Sequence, residues 1–497
     1  MKSRLPFAIY PAAILLLVAL HLWAASGVSP FAATRALLVC AVLGVAVSAL
    51  GAAIMRDRNR GGLFAVLIVI LLLAGGRPTA IPIVLVPMAL LLIERYGPRQ
   101  TTLDWAWLGR MVSRVTAVFA LAVLLEAVQL GRPADIVTAL ETETPLAATA
   151  TAATPPPADA PDVYVILLDG YARADVLRGT FDYDNSPFLD ALAADGFQVA
   201  GHSHSNYLIT NLSVSSFLNY RELNDIPALE PLIADPAGTE GGPVHRAIAG
   251  AAVLDDFRRL GYDTIGISSG FEQPAVRGAD TFIDNGELNE FEIQMMRASI
   301  IPPLVTTVVP DAFSGNQRQR IESVFDDVER LAAQKSARPK FVFAHVPSPH
   351  GPWVQQADGS PRVMTSLETW YFDTPETTGM TRDEVIKGYV GQSAYLGQRA
   401  RAAVEAIQKS SARPPVILLI SDHGSSLDVS AANPEQRLRN LFAAYTPGHP
   451  GLFADDLTLI GVFPTLFDAY FGVELPRPAE TMFTGGPKGL FDPVPIR

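Results

Sequence analysis

Four stretches of this 497-residue chain hold no charged side chain: Arg4 to Arg35, Arg35 to Arg56, Arg60 to Arg77, and Arg77 to Glu94. Apolar runs of this length need hydrocarbon or a large core around them, and a helix needs about 20 mostly apolar residues to cross a bilayer. The runs predict spanning helices near 6–26, 32–54, 61–76 and 79–93, with a fifth near 113–131 that carries Glu126. The third and fourth are short for a span, so their flanking arginines must snorkel or the bilayer must thin around them. A re-entrant hairpin is the alternative for that pair, and it leaves the parity of crossings unchanged.

Charge then orients the bundle. Lys2 and Arg4 place the N-terminus on the cytoplasmic side, and Arg56, Arg58 and Arg60 mark a second inner loop. Arg95, Arg99, Arg110 and Arg114 mark a third, whereas the outer loops have only Arg77 and Arg35. Everything after residue 131 is therefore expected outside the cytoplasm. The first apolar run exceeds the core of a signal peptide and more spans follow it, which favours an uncleaved anchor.

Composition separates the halves further. Residues 1–130 carry eleven basic against four acidic side chains, so within a net charge of −12 the remainder is at −19. Seven of the eight histidines also fall in that remainder, and the acidic balance argues against nucleic-acid binding. The lone cysteine, Cys40, excludes an internal disulfide framework and any Cys-rich zinc module. The expected organisation is a transmembrane domain over 1–131, a Pro/Ala/Thr-rich linker over 132–160, and an outer domain over 161–497. Three consecutive prolines, Pro155–Pro157, should keep the linker extended.

In the outer domain apolar strands alternate with helical patterns, which predicts an α/β fold with a mixed, largely parallel central sheet. The strands are expected at 163–168, 263–268, 341–345, 416–421 and 441–446, and helices at 186–196, 249–261, 318–334 and 386–408. Such sheets bind ligands beyond the carboxyl ends of their strands. Asp169 follows VYVILL, His345 ends FVFAH, and Asp422 and His423 follow VILLIS. One acid or imidazole at a strand end is ordinarily a cap or turn residue. Three strand ends that bring carboxylates and imidazole to one sheet edge suit a divalent cation.

DVYVILLDGYARADVL, SPFLDALAADGF, HSNYLITNLSVSSFLN, FVFAHVPSPHGPW, ILLISDHGSS and DLTLIGVFPTLFDAYFG, in that order, resemble the sulfatase and alkaline phosphatase superfamily over about 160–475. With its N-terminal spans and linker, the whole plan resembles lipoteichoic acid synthases and lipid A phosphoethanolamine transferases. The resemblance implies metal ligands at Asp169, Asp422 and His423, and a metal-bound nucleophile at Thr210, with Ser213 or Ser205 as alternatives. Sulfatases have a C/S-x-P-S-R motif there whose first residue matures to formylglycine. Here the run is Thr210-Asn211-Leu212-Ser213-Val214, without the proline, the arginine or an oxidisable cysteine. That departure favours the threonine branch, which transfers phosphorus-containing groups.

A threonine hydroxyl is a weak nucleophile until a cation lowers its pKa. The leaving alcohol needs a proton, for which His345 and His350 are candidates. His350 and Arg173 are candidates to bind substrate, with an ion pair to Asp175 as the structural alternative for Arg173. His202 and His204 read as a turn, and Trp353 and Trp370 as core. Two carboxylates, an imidazole and an alkoxide favour one Zn²⁺ or Mn²⁺ over Mg²⁺ or Ca²⁺, and no clear Asp-x-x-x-His motif for a second ion occurs between 270 and 350. The expected activity is transfer of a head group from a membrane phospholipid to a glycan or lipid acceptor through a covalent threonine intermediate. A hydrolase of the same superfamily is the alternative, and a non-catalytic glycan-binding protein a further one. Oligomeric state is not encoded in any pattern in the sequence.

Overall fold

The computed structural model describes residues 6–26, 28–73, 80–97, 104–130, 160–223, 247–272, 274–297, 299–364, 367, 370, 373–429, 433–486 and 489–496. The expected linker at 132–160 lies outside these residues except for Ala160, as does the side chain of Glu126. The chain divides into two compact units. One comprises Met1–Pro133 with Asn289–Pro310, the other Ala134–Leu288 with Asp311–Arg497.

The first unit contains helices α1 (Tyr10–Ser26), α2 (Pro30–Met55), α3 (Arg58–Leu72), α4 (Ala80–Tyr96) and α5 (Trp105–Leu130). Among the described residues two segments, Pro30–Met55 and Trp105–Val123, are long and apolar enough to cross a membrane. Small residues let the helices approach closely: a Cβ on Gly44 of α2 would stand 2.7 Å from Ala12 Cα of α1. Asp57 caps α3 by accepting from the Asn59 and Arg60 amides. Nearby, Arg60 pairs with Glu94, which also accepts from Trp105 Nε1. On the outward side of α2, Leu38, Val39 and Val42 are exposed, as a lipid-facing surface requires. Two more helices belong to this unit: α10 (Glu290–Arg297) and α11 (Ile301–Val308). Both fall within the sequence range expected for the outer domain.

The second unit is a three-layer α/β/α structure. Its seven-stranded sheet has the order β2-β7-β6-β1-β5-β3-β4. The strands are β1 (Val163–Leu168), β2 (Gln198–Val199), β3 (Asp263–Ile267), β4 (Thr281–Ile283), β5 (Lys340–Val346), β6 (Val416–Ile420) and β7 (Phe442–Tyr445). Five strands, β6-β1-β5-β3-β4, run parallel, and β7 and β2 add an antiparallel edge. The fold is thus the mixed, largely parallel sheet expected. Strand alternation builds two cores. Val163, Val165 and Leu167 face α8 (Thr210–Asn219), α9 (Ala252–Arg259) and α14 (Val462–Phe471), where Phe217, Phe257, Phe463 and Phe467 pack. Tyr164, Ile166 and Leu168 face α12 (Ala312–Ala333) and α13 (Arg382–Ser410), with α6 (Ala174–Phe181) and α7 (Ser186–Ala194) beside them. β1, central and buried at every position, carries Asp169 directly beyond its carboxyl end.

Candidate metal centre and nucleophile

The β1 exit is held from several directions. Asp169 N–H donates to Val346 O at 3.0 Å, so the turn continues the β1–β5 ladder. Gly170 follows at φ +73°, a left-handed conformation that glycine adopts without strain. Tyr389 of α13 donates its hydroxyl to Gly170 O at 2.7 Å and accepts from Ala172 N at 2.9 Å. At the neighbouring strand end, Asp422 Oδ1 accepts from Gly170 N at 3.0 Å.

Asp169, Asp422 and His423 are all buried, and one ligand atom from each lies within 4.8 Å of the others. Asp169 Oδ1 and Asp422 Oδ2 are buried oxygens with no hydrogen-bond partner among the described residues. His423 Nε2 is 3.3 Å from Asp422 Oδ2 and 3.9 Å from Asp169 Oδ1. Its Nδ1 donates to Gly424 O at 2.8 Å, which makes Nε2 the nitrogen with the lone pair. Burial depresses the His423 pKa and Arg437 adds to this, against the opposing pull of Asp422 and Asp169. Two orphaned carboxylate oxygens and one neutral imidazole nitrogen, converging in a buried place, fit a divalent cation.

Thr210 is the first residue of α8, and its Oγ1 is 3.1 Å from His423 Nε2. A helix N-terminus adds positive potential where an alkoxide would form. The competing hydroxyls are engaged elsewhere. Ser213 donates to Asp422 O at 2.6 Å and Ser205 to Tyr207 O at 3.0 Å, both buried.

His345 spans the site: Nε2 is 3.2 Å from Asp169 Oδ2 and Nδ1 is 2.9 Å from Ser269 Oγ. His350 N–H donates to Asp169 O at 2.9 Å, and its Nδ1 contacts Gly351 O at 3.2 Å. Burial alone would depress the His350 pKa, but the carboxylates of Asp169 and Asp373 outweigh it and hold it above the usual imidazole value. For Asp169, burial pushes the carboxyl up. The His345 hydrogen bond and the charges of His350, His345 and His423 win, holding it below the ordinary carboxylate range.

Arg173, a candidate to bind substrate, is engaged within the protein. Its Nε and Nη2 pair with Asp175 at 2.8 and 2.9 Å, and Nη1 donates to Ser203 O at 2.9 Å. The ion pair to Asp175, the structural alternative for Arg173, is thus formed. His204 stands 3.3 Å from Arg173 Nη1 in a bridge to Arg439 and Thr458, and His202 pairs with Asp455 at the surface. Trp353 is core, donating to Pro349 O at 3.0 Å, and Trp370 packs edge-on to Phe313.

The cation beside the cluster is instead Arg437, which no sequence pattern singles out. Its Nη2 is 3.5 Å from His423 Nε2 and its Nη1 donates to Ser426 Oγ. Ser426 in turn donates to Asp373 Oδ2 at 2.8 Å. Arg437 Nε is buried without a hydrogen-bond partner, and no carboxylate lies within 4.0 Å of the guanidinium among the described residues. Burial raises the Asp373 carboxyl, but His350, Arg437 and Ser426 more than reverse this. Arg437 lies in a short 3-10 helix (Pro434–Leu438) and Asp373 in an irregular segment, and neither place gives a side-chain spacing to read.

The family model described as Sulfatase matches residues 161–468. No curated protein matches the sequence. Among solved structures, the chain is similar to the C-terminal periplasmic domain of EcEptC from Escherichia coli in complex with Zn. That likeness has 13% identity and a TM-score of 0.43, over 69% of this chain and 96% of that one. It is similar to the integral membrane protein lipooligosaccharide phosphoethanolamine transferase A of Neisseria meningitidis, at 13% identity and a TM-score of 0.38, over 79% and 75%. It is also similar to the phosphonate monoester hydrolase of Agrobacterium radiobacter, at 14% identity and a TM-score of 0.42, over 65% and 80%.

Proposed function

The chain belongs to the sulfatase family, and from that premise we propose that it is a membrane-anchored transferase. It moves a phosphorus-containing head group from a phospholipid to a glycan or lipid acceptor. The observation that carries this reading is the Thr210 hydroxyl, 3.1 Å from His423 Nε2 and beside two orphaned carboxylate oxygens, where the family's oxidisable residue and its Pro and Arg are lacking.

Asp169, Asp422, His423 and Thr210 would hold one Zn²⁺ or Mn²⁺, which when bound lowers the pKa of the threonine hydroxyl and screens the anionic diester. Thr210 Oγ, its proton given up to solvent, attacks phosphorus and the bond to the diacylglycerol oxygen breaks. His350, whose neighbours favour its protonated form, donates a proton to that departing oxygen. Arg437 binds a non-bridging oxygen, and His345 keeps Asp169 oriented. In the second half an acceptor hydroxyl attacks phosphorus, its proton passes to His350, and Thr210 Oγ is released. The spans are read as multi-pass, with the N-terminus cytoplasmic and the α/β domain outside.

The test is a peptide mass after brief incubation of the full-length protein with native membrane lipids and an acid quench. A defined adduct on the Thr210 peptide names the transferred group. Lipid turnover with the adduct on another peptide, or full activity in Thr210→Ala, sinks the mechanism. Release of the group to water alone, with glycan and lipid acceptors present, makes the chain a hydrolase.

A further inference from the structure

The segment from Asn289 to Pro310 leaves the α/β chain, joins the N-terminal helical unit and returns. Its first half is built to dock on α2. Asn289 and Glu292 cap α10 reciprocally: Asn289 N–H donates to Glu292 Oε2 and Glu292 N–H to Asn289 Oδ1, each at 3.0 Å. Asn289 Nδ2 also donates to Ala32 O at 2.9 Å. Glu292 accepts from both Nε and Nη2 of Arg35, the single charge in residues 5–55, through a bidentate pair. Phe291 is buried against Ala33 and Ala36, with Leu22 and Trp23 around it.

The second half continues along the same end of the bundle and then stops being covered. Ile300 N–H donates to Leu72 O, at the C-terminal end of α3, at 2.9 Å. Residues 298–310 carry no charge. In and beside α11, Leu304, Val308 and Val309 are 59%, 80% and 52% exposed. The polar groups of this helix are turned inward on its own backbone: Thr306 Oγ1 donates to Pro302 O at 3.0 Å and Thr307 Oγ1 to Pro303 O at 2.7 Å. An exposed apolar helix with satisfied hydroxyls, fixed to the end of a lipid-facing bundle, has the character of an interfacial helix.

We propose that residues 289–310 are a second membrane anchor. α10 clamps to the first turns of α2, and α11 lies in the bilayer leaflet at that end, with Leu304, Val308 and Val309 among the acyl chains. The occupant of the exposed face is lipid. The segment holds one cation, Arg297, against Glu290 and Glu292, so attachment rests on apolar burial and not on attraction to anionic head groups. The inference rests on the helical unit spanning a membrane and is independent of the reaction proposed above.

The test uses the full-length protein in phosphatidylcholine nanodiscs, with Cys40→Ser as background and a bimane label at Val308→Cys. Val42→Cys on α2 serves as the membrane control and Asp358→Cys as the solvent control. The expected result is loss of most of the Val308 label's fluorescence when the lipids carry shallow acyl bromines, protection from aqueous iodide, and no change up to high salt. A label quenched by iodide and untouched by brominated lipid, while Val42 is quenched by lipid, overturns the anchor alone. Failure at both Val42 and Val308 overturns the membrane reading along with it. Efficient Val308–Val308 cross-linking between copies overturns lipid as the occupant in favour of a second chain.

Discussion

Thr210 Oγ1 and His423 Nε2 stand 3.1 Å apart although 213 residues separate them in the chain. The contact joins the start of α8 to the turn after β6, so the proposed nucleophile and the proposed metal-binding nitrogen are positioned by two different elements. Thr210→Ala is expected to lower turnover by about 10³-fold or more while leaving the fold intact, because the methyl and hydroxyl it loses are only partly buried. Thr210→Ser should keep a measurable fraction of the rate. Circular dichroism and bound-metal content read alongside kcat separate loss of chemistry from loss of structure.

The orphaned oxygens of Asp169 and Asp422 make a prediction of opposite sign in two conditions. Without a cation, two buried carboxylates repel each other and lack solvation. Asp422→Asn should therefore melt no lower than the parent in the presence of a chelator. With Zn²⁺ or Mn²⁺ supplied at about 1,000 times its Kd, the parent gains about 4 kcal/mol and the Asp422→Asn variant gains far less. Thermal melts of both proteins, with and without metal, check the crossing.

How far such a site can be read from sequence depends on where each residue sits. Asp169 and the Asp422–His423 pair terminate apolar runs of β length, so their convergence follows from the parallel sheet. Thr210 has no such marker and is reached by resemblance alone. Arg437 lies in a five-residue 3-10 helix and Asp373 in an irregular segment, and only the folded chain brings their side chains to His423 and His350. β2 and β4, at two and three residues, are too short to show alternation. The excursion at 289–310 escapes notice because α10 has the charged and apolar mixture of an ordinary surface helix. Its partner, Arg35, reads as a loop charge in the sequence and is instead within α2.

In the proposed reaction His350 sets the alkaline side of the pH profile. Its pKa lies above the ordinary imidazole value of about 6.5, because Asp169 and Asp373 outweigh burial. A raised pKa means that the stabilisation of the protonated form is complete below about 6.5 and is lost as pH rises through the folded value. In the proposed reaction the same proton serves the leaving group, so kcat/KM should fall along that limb, above about pH 6.5. Asp373→Asn removes one of the two raising charges and should move the limb to lower pH. His350→Asn should abolish it. A limb unmoved in both variants would assign the acid to another group.

Arg437 and Arg173 should separate cleanly, because one guanidinium faces the cluster and the other is consumed by Asp175. Arg437 lies 3.5 Å from His423 Nε2 and has no carboxylate within ion-pair distance among the described residues. A positive charge so placed costs less when an anion arrives, and its hydrogen bonds strengthen as charge builds on non-bridging oxygens. Arg437→Ala is expected to lower kcat/KM by roughly 10²–10³-fold, and Arg437→Lys to restore part of it through charge without the forked geometry. Arg173→Ala removes a buried donor to Ser203 O and a pair to a half-exposed carboxylate, so it should cost about 1–2 kcal/mol of stability with little change in kcat. Steady-state kinetics and urea melts on the three variants decide it. An Arg173 variant with the larger kinetic loss would return the substrate contact to the β1 exit and leave Arg437 as a structural brace for Ser426.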